Sequence, residues 1–130
     1  MAYTTINKST AHFNTKLFTG TGSTNAQTGV GFQPDMVWFK NRSETYSHQL
    51  YDVVRGVTKR ILPDLTTAEE TDANGLTAFG TDGFTVGSNV GVNKSSNNIC
   101  SWNWKAGTGQ GSSNTDGSIN TTYTSVNTTA

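Results

Sequence analysis

The stretch at residues 97–106, NNICSWNWKA, alternates in polarity along the chain. In an extended conformation its side chains separate into two sets on opposite faces, Cys100, Trp102 and Trp104 on one and Ser101, Asn103 and Lys105 on the other. A period of two residues indicates a half-buried β-strand. We therefore predict a strand here, with its tryptophan face turned toward the core.

Further short strands are predicted on both sides of this stretch. The run at 36–40, MVWFK, is apolar on both faces, which is typical of a strand covered from both sides. Residues 13–19 and 48–54 have the pattern of two more strands. The sequence LTAFGTDGFTV at 76–86 predicts a tight hairpin, since its Asp-Gly pair favours the positive φ angles of such a turn.

The composition favours an all-β fold. The chain has 130 residues, a single domain's length, and 23 Thr, 14 Gly, 13 Asn and 12 Ser make up nearly half of it. Thr favours pleated surfaces, whereas Gly, Asn and Ser favour turns. The capping-box spacing at 66–69 is the one helical signal, so we expect at most one short helix, between residues 61 and 74.

The aromatic residues are the main source of a core, because large apolar side chains are few. Two interpretations exist for Trp38, Trp102 and Trp104: core packing, which their strand spacing favours, or a platform on which a sugar stacks. The side chains that we expect to be mostly buried are Phe18, Val37, Phe39, Leu50, Phe79, Phe84, Trp102 and Trp104.

Charge and hydropathy argue against several partners. Nine basic and nine acidic residues cancel, so no net field attracts nucleic acid or an anionic membrane. The longest apolar runs are too short for membrane insertion, and the first residues lack the apolar stretch of an export signal. The single Cys100 cannot form an internal disulfide, which makes self-association a plausible source of added stability.

The titratable residues do not form a recognisable catalytic or metal motif. Two histidines and one cysteine are too few for a structural zinc, and we expect no metal or other cofactor. His48, Asp52 and Arg55 form a tight constellation. Because no nucleophile motif accompanies them, we interpret them as a structural network at one loop and expect that the protein is not an enzyme.

The ends of the chain differ from its middle. We predict a docking arm at 1–12, a β-sandwich domain at 13–106, and a Thr/Ser/Asn/Gly-rich tail or linker at 107–130 that is disordered in isolation. Such segments become ordered by adding a strand to a neighbouring chain. The apolar side chains expected to dock are Tyr3, Ile6, Ile119, Tyr123 and Val126.

Several motifs, taken in order, resemble one family. They are MAYTTINKST and FNTKLFTGTGST near the start, GVGFQPDMVWFKNRS at 29–43, SHQLYDVVRGVTK at 47–59, LTAFGTDGFTVGS at 76–88 and NNICSWNWKAG at 97–107. They are similar to a domain of virion proteins from marine tailed bacteriophages, including cyanophages, which is often labelled a tail-fibre or structural protein. That domain is similar to lectin-like and laminin-G-like sandwiches, so the resemblance implies an antiparallel β-sandwich of jelly-roll or lectin-like type.

The resemblance also implies a function. We expect a non-enzymatic virion structural protein, a module of a tail fibre or appendage or a decoration on the capsid, present in many copies and contacting other virion proteins. The alternative is a glycan-binding module that recognises the host surface. Fold resemblance alone does not establish sugar binding.

Overall fold

The computed structural model describes residues 9–106 with their side chains, and the backbone at 112–114 and 121–124. A 3-10 turn at Ser9–Ala11 precedes the first strand. The strands are β1 (Phe13–Thr19), β2 (Asn25–Gln27), β3 (Met36–Asn41), β4 (Gln49–Asp52), β5 (Lys59–Arg60), β6 (Glu70–Thr71), β7 (Leu76–Gly80), β8 (Gly83–Val86), β9 (Asn98–Trp104), β10 (Ser112–Asn114) and β11 (Thr121–Thr124). One α-helix, α1, spans Val90–Asn93.

Two antiparallel sheets form the sandwich. The principal sheet has four strands in the order β1-β9-β3-β4, and the second has three in the order β2-β8-β7. Strand β9 lies between β1 and β3, with Trp102 opposite Thr15 on one side and Trp38 on the other. The prediction of an all-β antiparallel sandwich with at most one short helix is confirmed.

Aromatic rings from both sheets meet in the core. The Phe39 ring of the principal sheet lies 5.0 Å from that of Phe84 in the second sheet and 5.9 Å from that of Tyr51, in edge-to-face arrangements that aromatic pairs prefer. The buried apolar cluster comprises Val30, Phe32, Val37, Phe39, Tyr51, Leu76, Phe84, Val86, Val92 and Ile99. Phe18 and Phe79 pack against this cluster while partly exposed.

Strand β9 turns toward the core the face opposite to the one predicted. Its buried face toward the second sheet carries Ile99, Ser101 and Asn103, while Trp102 and Trp104 are partly exposed on the opposite face. The polar side chains can lie inside because they bond internally: the Asn103 amide donates to the Asn14 carbonyl at 3.0 Å and to Ser101 Oγ at 3.1 Å. The expectation that the tryptophans face the core is therefore wrong.

Leu50 and Trp38 share this outer placement. Both lie on the outer face of the principal sheet, since Trp38 pairs with Trp102 and with Leu50 across its two neighbours. Both are partly exposed. Of the eight side chains expected in the core, Val37, Phe39 and Phe84 are the ones the structure buries fully.

The helix expected between residues 61 and 74 is absent from that segment. Residues 70–71 instead form strand β6, which pairs with β5. The Arg60 guanidinium bonds Glu70 and Asp72 at 2.8 Å each, and Asp72 N–H donates to the Thr58 carbonyl. Pairing and ion pairs thus hold the segment extended, because a capping box with almost no apolar side chains has no face to bury.

The hairpin at 76–86 forms as predicted, but its turn residues are Thr81 and Asp82, and the positive φ is at Gly83 rather than at Asp82. Strands β7 and β8 pair with Gly80 opposite Gly83. Gly83 has a φ of 152°, and a Cβ there would clash with the Gln27 carbonyl of β2. Asp82 accepts hydrogen bonds from the N–H groups of Gly29 (2.9 Å) and Gly31 (2.6 Å), which hold the pKa of its carboxyl group below the ordinary value.

The expected docking side chains fall mostly outside the described residues: Tyr3, Ile6, Ile119 and Val126, with only the backbone of Tyr123 described. Within 107–130, the segment expected to be disordered in isolation, strands β10 and β11 pair with each other. In the described parts of the chain, no helix has the length and apolarity to cross a membrane.

Candidate functional site

The outer face of the principal sheet is the candidate site. Antiparallel register aligns Phe13, Trp104 and Met36 in one row, and Thr15, Trp102, Trp38 and Leu50 in the next. This surface, here called the tryptophan face, comprises Phe13, Thr15, Leu17, Met36, Trp38, His48, Leu50, Trp102 and Trp104. A sheet face of this kind is unusual in an isolated soluble sandwich, whose outward residues are commonly polar.

An open cavity of about 360 Å³ lies on this face. Trp38, His48, Trp102 and Trp104 line it, almost entirely with carbon atoms. The Trp38 and Trp102 rings lie 6.2 Å apart at an angle of 67°, and the Phe13 and Trp104 rings lie 5.1 Å apart at 52°. Because the rings are inclined to one another, they form the walls of a shallow depression rather than a flat platform.

His48 fixes the orientation of one wall. The Trp38 indole Nε1–H donates to His48 Nδ1 at 3.0 Å, and the two rings meet edge to face. An accepting Nδ1 assigns the proton of the neutral imidazole to Nε2. The His48 backbone N–H donates to Asp64 at 3.1 Å. The His48 side chain therefore holds the Trp38 ring in position.

Asp52 and Arg55 form a separate arrangement. The Arg55 guanidinium donates to Asp52 Oδ2 at 2.6 Å, and Asp52 Oδ1 accepts from the backbone N–H groups of Val54 and Arg55. Partial burial acts to raise the pKa of the Asp52 carboxyl group, but these hydrogen bonds outweigh it and the pKa lies below its ordinary value. His48 does not join this pair and lies on the tryptophan face. The predicted network is therefore corrected to Asp52 and Arg55, with Glu69 as a second ionic partner of Arg55 at 3.5 Å.

A second cavity of about 260 Å³ lies between β4 and α1 and has a mixed polar lining. Several of its polar groups already have partners: the Gln49 amide donates to Asn89 at 2.9 Å, and the Arg60 guanidinium bonds Glu70 and Asp72 outside the cavity. Among the described residues, no cluster of three His, Cys, Asp or Glu side chains could hold a metal ion. Of these two cavities, the one on the tryptophan face is the better candidate to bind a partner, because its lining is not made of polar groups that already have partners.

Sequence reasoning missed several members of this face. Phe13 and Leu17 are 39% and 58% exposed, and Met36 and Leu50 are partly exposed. A signal was present in residues 13–19, FNTKLFT, where Phe13, Thr15 and Leu17 alternate with Asn14, Lys16 and Phe18. That alternation did not reveal which set faces outward, because each set contains one large apolar residue or more.

The fold and this surface define a class, an antiparallel β-sandwich with an exposed aromatic sheet face. The chain belongs to the family described as a domain of unknown function, DUF7483, whose model matches residues 8–130. No curated protein and no solved structure matches the sequence.

Proposed function

We propose that the protein is a non-enzymatic structural module of a bacteriophage particle, in a tail fibre or appendage or on the capsid surface, which binds another virion protein through the tryptophan face. One observation carries the proposal: the principal sheet presents three indoles and several aliphatic side chains to solvent on the face opposite the core. The sequence motifs that resemble domains of marine phage virion proteins are the reason for placing this module on a bacteriophage particle.

An exposed aromatic face is unfavourable for a solitary soluble domain. Burying apolar surface contributes about 25 cal/mol per Å², so covering several such side chains stabilises a complex substantially. Contiguous exposed apolar patches mark interaction sites. Tryptophan is also the residue type most enriched among those that dominate binding energy at protein interfaces.

The chemistry of the cavity favours a protein partner. Its carbon lining suits apolar side chains, and the Trp38 N–H, a donor that a sugar hydroxyl could use, is already bonded to His48. Protein interfaces have an apolar centre and a polar rim. Lys40, whose ammonium group donates to the Tyr46 carbonyl at 2.6 Å, and the Asp52–Arg55 pair lie at the ends of this face and supply such a rim.

A second candidate function is glycan recognition at the host surface. The observation that favours it is the partial exposure of the same three tryptophans, since sugar rings stack their C–H faces on indoles. The cavity of about 360 Å³ has room for one sugar ring. In this case the hydroxyl groups would have to bond residues of the rim.

Particle incorporation tests the first candidate. Particles are purified from host cells that produce wild-type chain, a Trp102→Gln/Trp104→Gln double variant, or a Val54→Gln control, whose side chain is 92% exposed and does not line the cavity. We expect wild type and control in the particles and the double variant reduced at least about 30-fold, the loss that corresponds to about 2 kcal/mol at a central interface residue. Circular dichroism verifies that both variants fold.

The outcomes separate the two candidates. Absence of the wild-type chain from particles would overturn the virion proposal. Full incorporation of the double variant would overturn the role of the tryptophan face in assembly. Glycan-array binding that the double variant loses, together with unchanged incorporation, would favour host recognition instead.

A further inference from the structure

Strand β1 forms one edge of the principal sheet, and two backbone hydrogen bonds show which of its residues bond the neighbouring strand β9. Lys105 N–H donates to the His12 carbonyl and Gly20 N–H donates to the Asn97 carbonyl, each at 2.8 Å. In an antiparallel ladder alternate residues bond the same neighbour, so the even-numbered residues of β1 bond β9. The odd-numbered residues therefore direct their N–H and C=O groups away from the sheet; they are Phe13, Thr15, Leu17 and Thr19.

The outward groups of β1 are largely unpaired. Among the described residues, Thr15 N–H donates to Asn14 Oδ1 at 2.9 Å and the Thr19 carbonyl accepts a long bond from Asn25 at 3.4 Å. The opposite edge of the sheet is closed, because Leu50 of β4 exchanges two backbone hydrogen bonds with Ile61. The seven-residue strand β1 is therefore an open edge in this part of the chain.

Strand β1 has one of the features that protect natural edges, a lysine, but it is neither short nor bulged. Natural edge strands are commonly short, bulged or charged, which prevents pairing with other chains. The charged residue of β1, Lys16, points to the inner side, where its ammonium group acts on Asp82. The side chains of the outer side include Phe13 and Leu17, which are the exposed large apolar residues of this strand.

We propose that two copies of the chain pair through β1 in antiparallel fashion, with Thr15 on the two-fold axis. In this register Phe13 lies opposite the partner's Leu17, and Leu17 opposite the partner's Phe13. Lys16 lies opposite the partner's Asn14. The Thr15 N–H exchanges its Asn14 acceptor for the carbonyl of the partner's Thr15.

The neighbouring registers are less favourable. Centring the pair on Lys16 places two ammonium groups directly opposite each other, which destabilises a cross-strand pair. Centring it on Asn14 places Leu17 opposite the partner's Ala11 and leaves less apolar contact. The Thr15-centred register alone pairs both exposed apolar side chains with each other and separates the charges.

The dimer has a continuous eight-stranded sheet. Because the two-fold axis is perpendicular to the sheet, both tryptophan faces lie on the same side of it. The pairing does not require the proposed virion partner. It uses Phe13, Thr15 and Leu17 at the margin of the tryptophan face and leaves the cavity lined by Trp38, His48, Trp102 and Trp104 open to bind one. Failure of the dimer and failure of the virion role are therefore separate results.

Charge exchange at residue 15 tests the register. Thr15 of one chain faces Thr15 of the other only when this residue lies on the two-fold axis. Like charges would then repel each other, so Thr15→Lys and Thr15→Glu are each expected to be monomers of 13.9 kDa. Their equimolar mixture pairs opposite charges and is expected to be a dimer. Wild type is expected to be a dimer. Analytical ultracentrifugation at about 100 µM measures the mass, and circular dichroism establishes folding.

A second pair of variants tests the apolar contact. We expect Leu17→Lys to be monomeric, while Val54→Lys, the same change at another exposed apolar side chain, stays dimeric. A monomeric wild type would overturn the proposal. A Leu17→Lys variant that remains a dimer would equally overturn it, because the contact would then lie elsewhere. So would an equimolar mixture of Thr15→Lys and Thr15→Glu that stays monomeric.

Discussion

Phe39→Ala is expected to lower the free energy of unfolding by about 3–5 kcal/mol, a large part of the stability of a small domain. Phe39 is fully buried and contacts Phe84 and Tyr51 from the two sides of the core. Its removal leaves an enclosed cavity around which a packed core relaxes only in part. Trp102→Ala should lower stability less, by about 2–3 kcal/mol, since Trp102 is partly exposed and the change loses buried apolar area without enclosing a void.

Chemical denaturation followed by circular dichroism measures both changes at matched protein concentration. Phe13→Ala is the control for Phe39→Ala, because it makes the same substitution at a side chain that is 39% exposed. If Trp102→Ala lowered stability as much as Phe39→Ala does, the tryptophan strand would belong to the core, and the assignment of its outer face would be wrong.

Asn93→Ala is the second substitution with a large expected effect. The Asn93 side chain is fully buried; its Oδ1 accepts from Thr21 N–H at 2.9 Å and from Asn25 at 3.0 Å, and its Nδ2 donates to the Gly87 carbonyl at 2.6 Å. Truncation leaves the buried Gly87 carbonyl unpaired, at about 1–3 kcal/mol, and removes the bonds to the exposed Thr21 and the partly exposed Asn25, which water can replace in part. We expect a loss of about 2–4 kcal/mol in the free energy of unfolding.

Asn98→Ala is the matched control, because Asn98 is exposed and its substitution should change stability by less than about 0.5 kcal/mol. Asn93→Asp keeps the acceptor contacts but directs a carboxylate oxygen at the Gly87 carbonyl, so it should also be destabilising. Stability near that of wild type in both Asn93 variants would show that this amide does not hold the loops at residues 21–25 to α1.

The fold class followed from local patterns, whereas the buried polar residues did not. Thr-rich alternation and the Asp82-Gly83 turn predicted the strands and the hairpin, since these depend on neighbours in sequence. Asn41, Asn93 and Asn103 are fully buried, although asparagine is typical of turns. Their burial depends on partners distant in sequence, such as Val90 for Asn41 and Asn14 for Asn103.

The site was predicted in its residues but not in its orientation. The period of two in β9 grouped Trp102 with Trp104, and the same period applies whichever side faces the core. Hydrophobicity favoured the tryptophan side as the inner one. The inner side is instead set by the Phe39 and Phe84 rings, which fill the space between the sheets, and by the internal bonds of Asn103.

The accessibility of the tryptophans tests the central claim most directly. All three tryptophans of the chain belong to the tryptophan face, so tryptophan fluorescence, excited selectively over the four tyrosines, reports on that surface alone. We expect the free wild-type protein to emit as partly exposed indole and to be quenched efficiently by acrylamide at low concentration. A blue-shifted emission that acrylamide scarcely quenches in the free, folded protein would contradict the account, because the three indoles would then be enclosed rather than available to a partner.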